Sequence, residues 1–364
     1  MTLYIIIVFI LAIILFINFA PVFGDKSNGD SKAKIENSTN FIDGKFRNLV
    51  STNMSFKKGE DYNKEYMADN SIGKRPIKPL PSIKFNKTDF ATNNENSITW
   101  FGHSTILMKL ESKIILVDPV FNNASPFSSI IGPKPFKFEN TIHTKDLPNE
   151  IDVVLITHDH YDHLDYKTIK YINERVGKFL VPLGVKAHLL KWGISDNKIE
   201  EFDWYNKNSY NNIDFIFTPT RHFSGRALRD RFATLWGGWI IKSESTNLYI
   251  SGDGGYSDEF KKIGKKYGPF DFIFIENGAY NPRWQNVHLF PEQGVIASLD
   301  AQAKIAIPIH WGKFNLSFHS WVEPIKRFTA EAKKKNLSIS TPLIGQTIFI
   351  GENIPNKHWW ENLQ

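Results

Sequence analysis

Thr157-His158-Asp159-His160-Tyr161-Asp162-His163-Leu164-Asp165 follows directly on an apolar run, Val153–Ile156, and precedes a helical pattern over 165–175. Four potential metal donors, His158, His160, Asp162 and His163, fall within this one turn. Where a chain leaves a strand extended, side chains two apart point the same way. His158 and His160 can therefore share one ion, while Asp162 and His163, at the helix entry, can hold a second. A single histidine in such a loop reads as an ordinary solvated side chain. Three with an aspartate, at the carboxyl end of a buried strand, read as a metal centre.

Three more candidates end apolar runs in the same manner: His222 after Phe215–Thr218, Asp253 after Leu248–Ser251, and His310 after Lys304–Ile309. Layered α/β folds collect their sites at strand ends, because a rigid sheet brings residues distant in sequence to one edge. Further strand patterns at Lys178–Val181, Leu235–Ile241 and Phe272–Ile275 alternate with helical patterns near 185–192, 256–266, 291–302 and 321–335. The mixture predicts an α/β fold with two layers of sheet. The chain has no cysteine, so thiolate sites and disulfides are excluded and any metal must sit on imidazole and carboxylate. Redox-silent zinc suits that donor set, and iron or manganese is also tolerated by it.

The ends of the chain read differently. From Leu3 to Ile17 every side chain is aliphatic or aromatic, and the run reaches Phe23 with Asn18 as its polar interruption. This predicts a membrane segment over 1–24, either a single-pass anchor or a cleaved signal, and hence a membrane-associated protein. Residues 25–95, rich in Asn, Ser, Lys and Asp, read as a polar linker and irregular arm, and 96–364 as the catalytic domain. The 44 basic side chains exceed the 38 acidic ones by six, a mild excess suited to an anionic surface. Runs such as Lys333-Lys334-Lys335 fall on solvated helix faces, so nucleic acid is not an expected partner.

The HxHxDH pattern of His158–His163, with His222, Asp253 and His310, resembles the ligand set of the metallo-β-lactamase fold. The flanks Thr99–Thr105, Asp118-Pro119-Val120-Phe121, Gly132-Pro133-Lys134, Leu235–Trp239, Gly268–Asp271, Gly278–Trp284 and Ile309–Gly312 are similar to the N-acyl-phosphatidylethanolamine-hydrolysing phospholipase D family, over roughly residues 95–330. Glu276-Asn277 depart from the uncharged residues usual there. The resemblance implies an αββα sandwich, two mixed sheets flanked by helices, and two zinc ions. His158, His160 and His222 would bind one ion, Asp162, His163 and His310 the other, and Asp253 would bridge them. It further implies hydrolysis of N-acyl phosphatidylethanolamine to N-acylethanolamine and phosphatidic acid, with a hydroxide generated between the ions as nucleophile.

Asp253 and Asp162 then belong to the catalytic machinery, joined by His288, which resembles a substrate-contacting histidine. His103 reads as a hydrogen-bond partner of a ligand. The aromatic set Trp236, Trp239, Trp284, Trp311, Phe314, Phe318 and Trp321 offers either core packing or an acyl-chain groove. Expected partners are a phospholipid substrate, a membrane surface and a second copy in a homodimer. Lactonases, nucleases and sugar-phosphate lactonases share the bare ligand pattern, so a metal-dependent lactonase or small-molecule phosphodiesterase on soluble substrates is one alternative. A non-catalytic, membrane-tethered metal-binding protein is another.

Overall fold

A computed structural model describes residues 2–53, 73–126, 132–352 and 354–363; the stretch 54–72 of the expected polar arm lies outside the described residues. After a small hairpin, β1 (Phe41–Ile42) and β2 (Lys45–Phe46), two large sheets follow one another along the chain. The first contains β3 (Ser97–Trp100), β4 (Ile106–Leu110), β5 (Lys113–Val117), β6 (Ile151–Leu155), β7 (Val176–Pro182), β8 (Ile199–Phe202) and the late β15 (Thr347–Phe349), in the order β15-β3-β4-β5-β6-β7-β8. Pairing is antiparallel as far as β5 and parallel from β5 to β8. The β4–β5 hairpin closes on Glu111 and Ser112 alone, both at positive φ (47° and 64°), the two-residue turn whose twist matches that of its strands.

The second sheet holds β9 (Lys207–Tyr210), β10 (Ile213–Thr218), β11 (Gly238–Lys242), β12 (Asn247–Ile250), β13 (Phe270–Glu276) and β14 (Ala303–Ile309), in the order β14-β13-β12-β11-β10-β9. It is antiparallel from β9 to β12 and parallel from β12 to β14. The strand expected at Leu235 begins instead at Gly238. The amides of Leu235 and Gly237 donate to Leu183 O and Thr157 O, so this backbone ties the second sheet to loops of the first before it joins a ladder.

Side chains of both sheets, including Trp100, Phe202, Phe217, Trp239 and Ile309, form the central apolar layer. A second cluster lies under the helices Tyr166–Ile172 and Val185–Lys191, and a third under Glu259–Tyr267, Pro291–Asp300 and Glu323–Lys335. The layers run helix, sheet, sheet, helix, and both sheets are mixed.

One expectation about the amino-terminal part changes. The apolar run forms α1 (Thr2–Phe19), about 27 Å long at 1.5 Å per residue and therefore short of a bilayer core of about 30 Å. Pro21–Phe23 follow as a separate 3-10 turn. Among the described residues no helix is long and apolar enough to cross a membrane, so the single-pass anchor finds no support. Within the expected irregular arm, residues 25–53 lie against the domain. The helix Gly29–Asn37 buries Ser31 and Ile35, Ser31 donates to Glu201 at 2.8 Å, and Asn40 donates to Asp203 at 3.0 Å. This arm is held by polar pairs more than by an apolar stripe, which is why no hydrophobic period announces it.

Candidate metal centre

Each candidate ligand leaves a strand at one common edge: His158 after β6, His222 after β10, Asp253 after β12 and His310 after β14. The structure brings all seven together. His160 Nδ1 lies 2.9 Å from His158 Nε2 and 3.3 Å from His222 Nε2. A tetrahedral ion with bonds of 2.0–2.1 Å spaces its ligand atoms roughly 3.3 Å apart, so this trio has the spacing of one coordination sphere. Asp162 Oδ2 is 3.5 Å from His163 Nε2 and 3.4 Å from His310 Nε2. Between the two groups, Asp253 Oδ2 stands 3.0 Å from His310, 3.1 Å from His163, 3.9 Å from His158 and 4.0 Å from His222. His310 Nε2, although so close to two carboxylates, has no partner in hydrogen-bonding geometry. Its ring nitrogen is aimed at the space the donors share, and the whole set fits two divalent cations.

Outer groups hold these side chains. Asp118, one residue past β5, accepts from His163 Nδ1 at 2.8 Å, from Thr157 N at 2.8 Å and from Thr157 Oγ1 at 2.6 Å. His222 Nδ1 faces Val287 O at 2.8 Å, and His103 Nε2 meets Asp162 Oδ2 at 3.0 Å. Asn48, in the amino-terminal arm, exchanges a pair of bonds with the His222 backbone at 2.8 and 3.0 Å. His103, Asp118 and His310 all lie at positive φ (54°, 40° and 66°), a conformation sustained where surrounding structure dictates it. Gly278 is required for a steric reason: a Cβ there would stand 2.0 Å from His310 O.

The electrostatics divide the histidines. Burial, reinforced for His158 and His222 by neighbouring imidazoles, lowers the pKa of His158, His160 and His222, so these rings stay neutral with lone pairs available. Burial also opposes charge on Asp162 and Asp253, yet His163 beside both holds their carboxyls well below the usual range. Against its own burial, His310 is pushed up to about 10 by Asp253 and Asp162, and His163 is raised well above normal by Asp253, Asp162 and Asp118. The protons on those two rings occupy the charge that cations would supply.

His288 lies at the rim, its ring centre 5.1 Å from that of His222 and 5.6 Å from that of His310. Its Nδ1 makes a short contact with Glu276 Oε1, and Glu276 Oε2 accepts from Gly254 N at 2.8 Å. Sequence reasoning noted Glu276 as a departure without giving it work; its place at the last residue of β13 was the available signal. Asn48 and Arg226 were missed altogether. The Arg226 guanidinium is buried and donates to Asp159 O at 2.6 Å and Leu164 O at 2.9 Å, fixing both ends of the ligand turn. His188 is also buried, with Nε2 3.4 Å from Asp159 Oδ2.

Most of the proposed acyl-groove aromatics are core. Trp236, Trp239, Trp311, Phe314 and Trp321 are buried, and Trp311 stacks on Trp321 and Trp359. Trp284 and Phe318 remain half-buried, with ring centres 5.8 Å apart.

Comparison with known proteins agrees with this geometry. Residues 113–311 match the β-lactamase superfamily domain. An uncharacterised Mycobacterium tuberculosis protein is 35% identical over 336 residues, covering 90% of this chain and 89% of its own. N-acyl-phosphatidylethanolamine-hydrolysing phospholipase D 1 of Caenorhabditis elegans is 36% identical over 248 residues, 65% of this chain and 69% of its own. A metallo-hydrolase from the archaeon Ignicoccus hospitalis superposes with a TM-score of 0.53 at 19% identity, over 71% of this chain and 99% of its own; at that identity the likeness speaks for the fold. The chain is a metal-dependent hydrolase of the β-lactamase superfamily, homologous to the N-acyl-phosphatidylethanolamine-hydrolysing phospholipases D.

Proposed function

We propose that this hydrolase is a zinc-dependent phosphodiesterase that works at a membrane surface and cleaves N-acyl phosphatidylethanolamine to N-acylethanolamine and phosphatidic acid. The carrying observation is the convergence of two donor trios on Asp253 Oδ2, beside relatives that hydrolyse that lipid. His158, His160 and His222 would hold one ion, Asp162, His163 and His310 the other, with Asp253 between them. Two zinc ions held there supply a nucleophile from water at neutral pH and neutralise charge gathering on a phosphoryl group.

The chain's own residues set the geometry. The neutral trio presents lone pairs, and the ionised Asp253 and Asp162 supply the anionic side of each pocket. Glu276 occupies His288 Nδ1, which leaves Nε2 as the ring nitrogen that, when it carries a proton, can donate to a phosphoryl oxygen. The half-buried Trp284 and Phe318 pair, near the same rim, offers apolar contact to an acyl chain. The exposed α1 supports the membrane surface as the place of action, by entering the apolar layer without spanning it.

The test is turnover of metal-loaded protein on N-acyl phosphatidylethanolamine, a cyclic nucleotide and a lactone in parallel, with metal analysis beforehand. The expected result is about two zinc ions per chain, preference for the lipid, and heavy oxygen from water in the phosphatidic acid. Equal turnover of the soluble substrates, or label in the released N-acylethanolamine, would sink this reading.

A further inference from the structure

The chain leaving α1 is pinned to the domain. Trp192 Nε1 donates to Pro21 O at 2.6 Å, Arg226 Nε and Nη2 donate to Val22 O at 3.0 and 2.9 Å, and the Asp25 amide donates to His188 Nδ1 at 3.0 Å. Gly24, at φ 75°, passes so close to His188 that a Cβ would stand 2.0 Å from Nδ1. The foot of α1 therefore has a fixed place. Beside it Leu228 projects, 81% exposed, from the loop that carries Arg226.

Between this loop and α1 lies a cleft of about 580 Å³, within the size range of small-ligand sites. Ile14, Ile17, Phe23 and Leu228 give it an apolar wall, and Lys26, Lys191 and Arg229 give it a cationic rim. Asp25 and Asp230 also line it, but their carboxylates are engaged by backbone amides, of Lys26 at 2.9 Å and of Arg226 and Ala227 at 3.1 and 2.8 Å.

We propose that this cleft binds one anionic glycerophospholipid from the bilayer, its acyl chains along α1 and its phosphate among Lys26, Lys191 and Arg229. This is a docking lipid, held apart from the metal centre. The occupant follows from two features of the surface. Side chains round α1 from Tyr4, 72% exposed, to Phe16, 38% exposed, are apolar and open to the surroundings, and a helix without a polar face there belongs in an apolar medium. Where that helix meets the domain the side chains turn basic, which complements an anionic leaflet. Arg226 grips Val22 at the foot of α1 with one side and Asp159 O in the ligand turn with the other. The docked lipid thereby sets the attitude of the metal centre to the membrane. The proposal rests on the membrane-surface part of the proposed function, and it adds the lipid class and the site.

The experiment is photolabelling of the full chain in phosphatidylcholine vesicles carrying a trace of phosphatidylserine or phosphatidylcholine with a diazirine at the glycerol end of one acyl chain, followed by peptide mapping. The serine probe should label peptides containing Phe23–Lys26, Lys191 or Ala227–Asp230 several-fold more than the choline probe. Lys191→Glu combined with Arg229→Glu should remove that difference while melting temperature and metal content stay unchanged. If the pair does not fold, Lys26→Glu alone, at an exposed position, should at least halve it. Equal labelling by the two probes, labelling confined to α1 before Ile14, indifference to charge reversal, or crosslinked dimers in place of lipid adducts would each overturn the proposal. Turnover of N-acyl phosphatidylethanolamine in detergent, measured on the same samples, is a separate readout: selective labelling without turnover would overturn the substrate assignment and leave the docking site standing.

Discussion

Asp118 accepts a hydrogen bond from His163 Nδ1 at 2.8 Å, and that bond turns His163 Nε2 toward Asp253. A carboxylate in this position fixes both the tautomer and the orientation of a ligand ring. Asp118→Asn, nearly isosteric, should leave the fold intact and weaken metal binding by about 10–100-fold. Competition with a chromogenic chelator measures it, and wild-type affinity in the variant would show that His163 is oriented by something else.

Metal binding should depend steeply on pH. His310, with its pKa near 10, and His163, also raised, are protonated in the cation-free pocket at neutral pH, and both protons must leave before those nitrogens can coordinate. Affinity should therefore rise with pH, by up to roughly a hundredfold per unit where both rings are protonated, and level off toward about pH 10. Calorimetry in buffers of different ionisation enthalpy should detect nearly two protons released. Binding without proton release would refute the assignment of these two rings.

Arg226 should prove a structural keystone of the ligand turn. Removing its guanidinium leaves the carbonyls of Asp159, Leu164 and Val22 without a donor in a buried place, and such losses cost about 3 kcal/mol or more. Arg226→Ala should lower the melting temperature and expose the chain near Gly24 to limited proteolysis. Arg226→Lys, which cannot span the three carbonyls, should recover little. A melting curve unchanged in Arg226→Ala would overturn this role.

What the sequence made legible follows from how each feature is encoded. The HxHxDH turn and the strand-terminal His222, Asp253 and His310 are local patterns, so their site could be read before any fold was known. Asn48 could not, because its bond to His222 joins residues 174 positions apart through a polar arm with no periodicity. Strands β8 and β9 were missed because Ile199–Phe202 and Lys207–Tyr210 carry charged and polar residues on short edge segments. Trp311 and Trp321 invited a groove by their closeness to His310, but the late Trp359 stacks on them and closes that space. α1 was legible as apolar but not as short: its end is set by Pro21 and by the strap that Trp192 and Arg226 hold.

Lys313 links stability to pH. Its ammonium is buried, donating to Val120 O at 2.6 Å and Phe101 O at 3.3 Å, and burial lowers its pKa to about 7. Between that value and the unfolded value of 10.5, the folded chain holds Lys313 neutral while the unfolded chain binds its proton. Stability contributed by this group therefore rises with pH through that window, by up to about 1.4 kcal/mol per unit, and the cost of charging it is fully present below about 7. Lys313→Met should flatten the rise. Thermal melts across the window measure this, and an equal slope in the variant would show that Lys313 is not the group responsible.

The last prediction separates a ligand from a substrate contact. Asp253 approaches four of the histidines within 4.0 Å, so Asp253→Ala should lose bound metal and activity together, at least as severely as any single histidine replacement. His288 is placed differently. Glu276 holds its Nδ1 at the rim, and under the proposed reaction Nε2 would meet a phosphoryl oxygen whose charge grows in the transition state. His288→Ala should therefore retain about two ions per chain and lose rate by roughly 100-fold, the scale typical of one transition-state donor. Because the contact strengthens as charge develops, the loss should fall mainly on kcat with KM little changed. Glu276→Gln should repeat that pattern more mildly, since it loosens His288 without removing it. Metal loss in His288→Ala would move His288 among the ligands, and an unchanged kcat would return it to the surface.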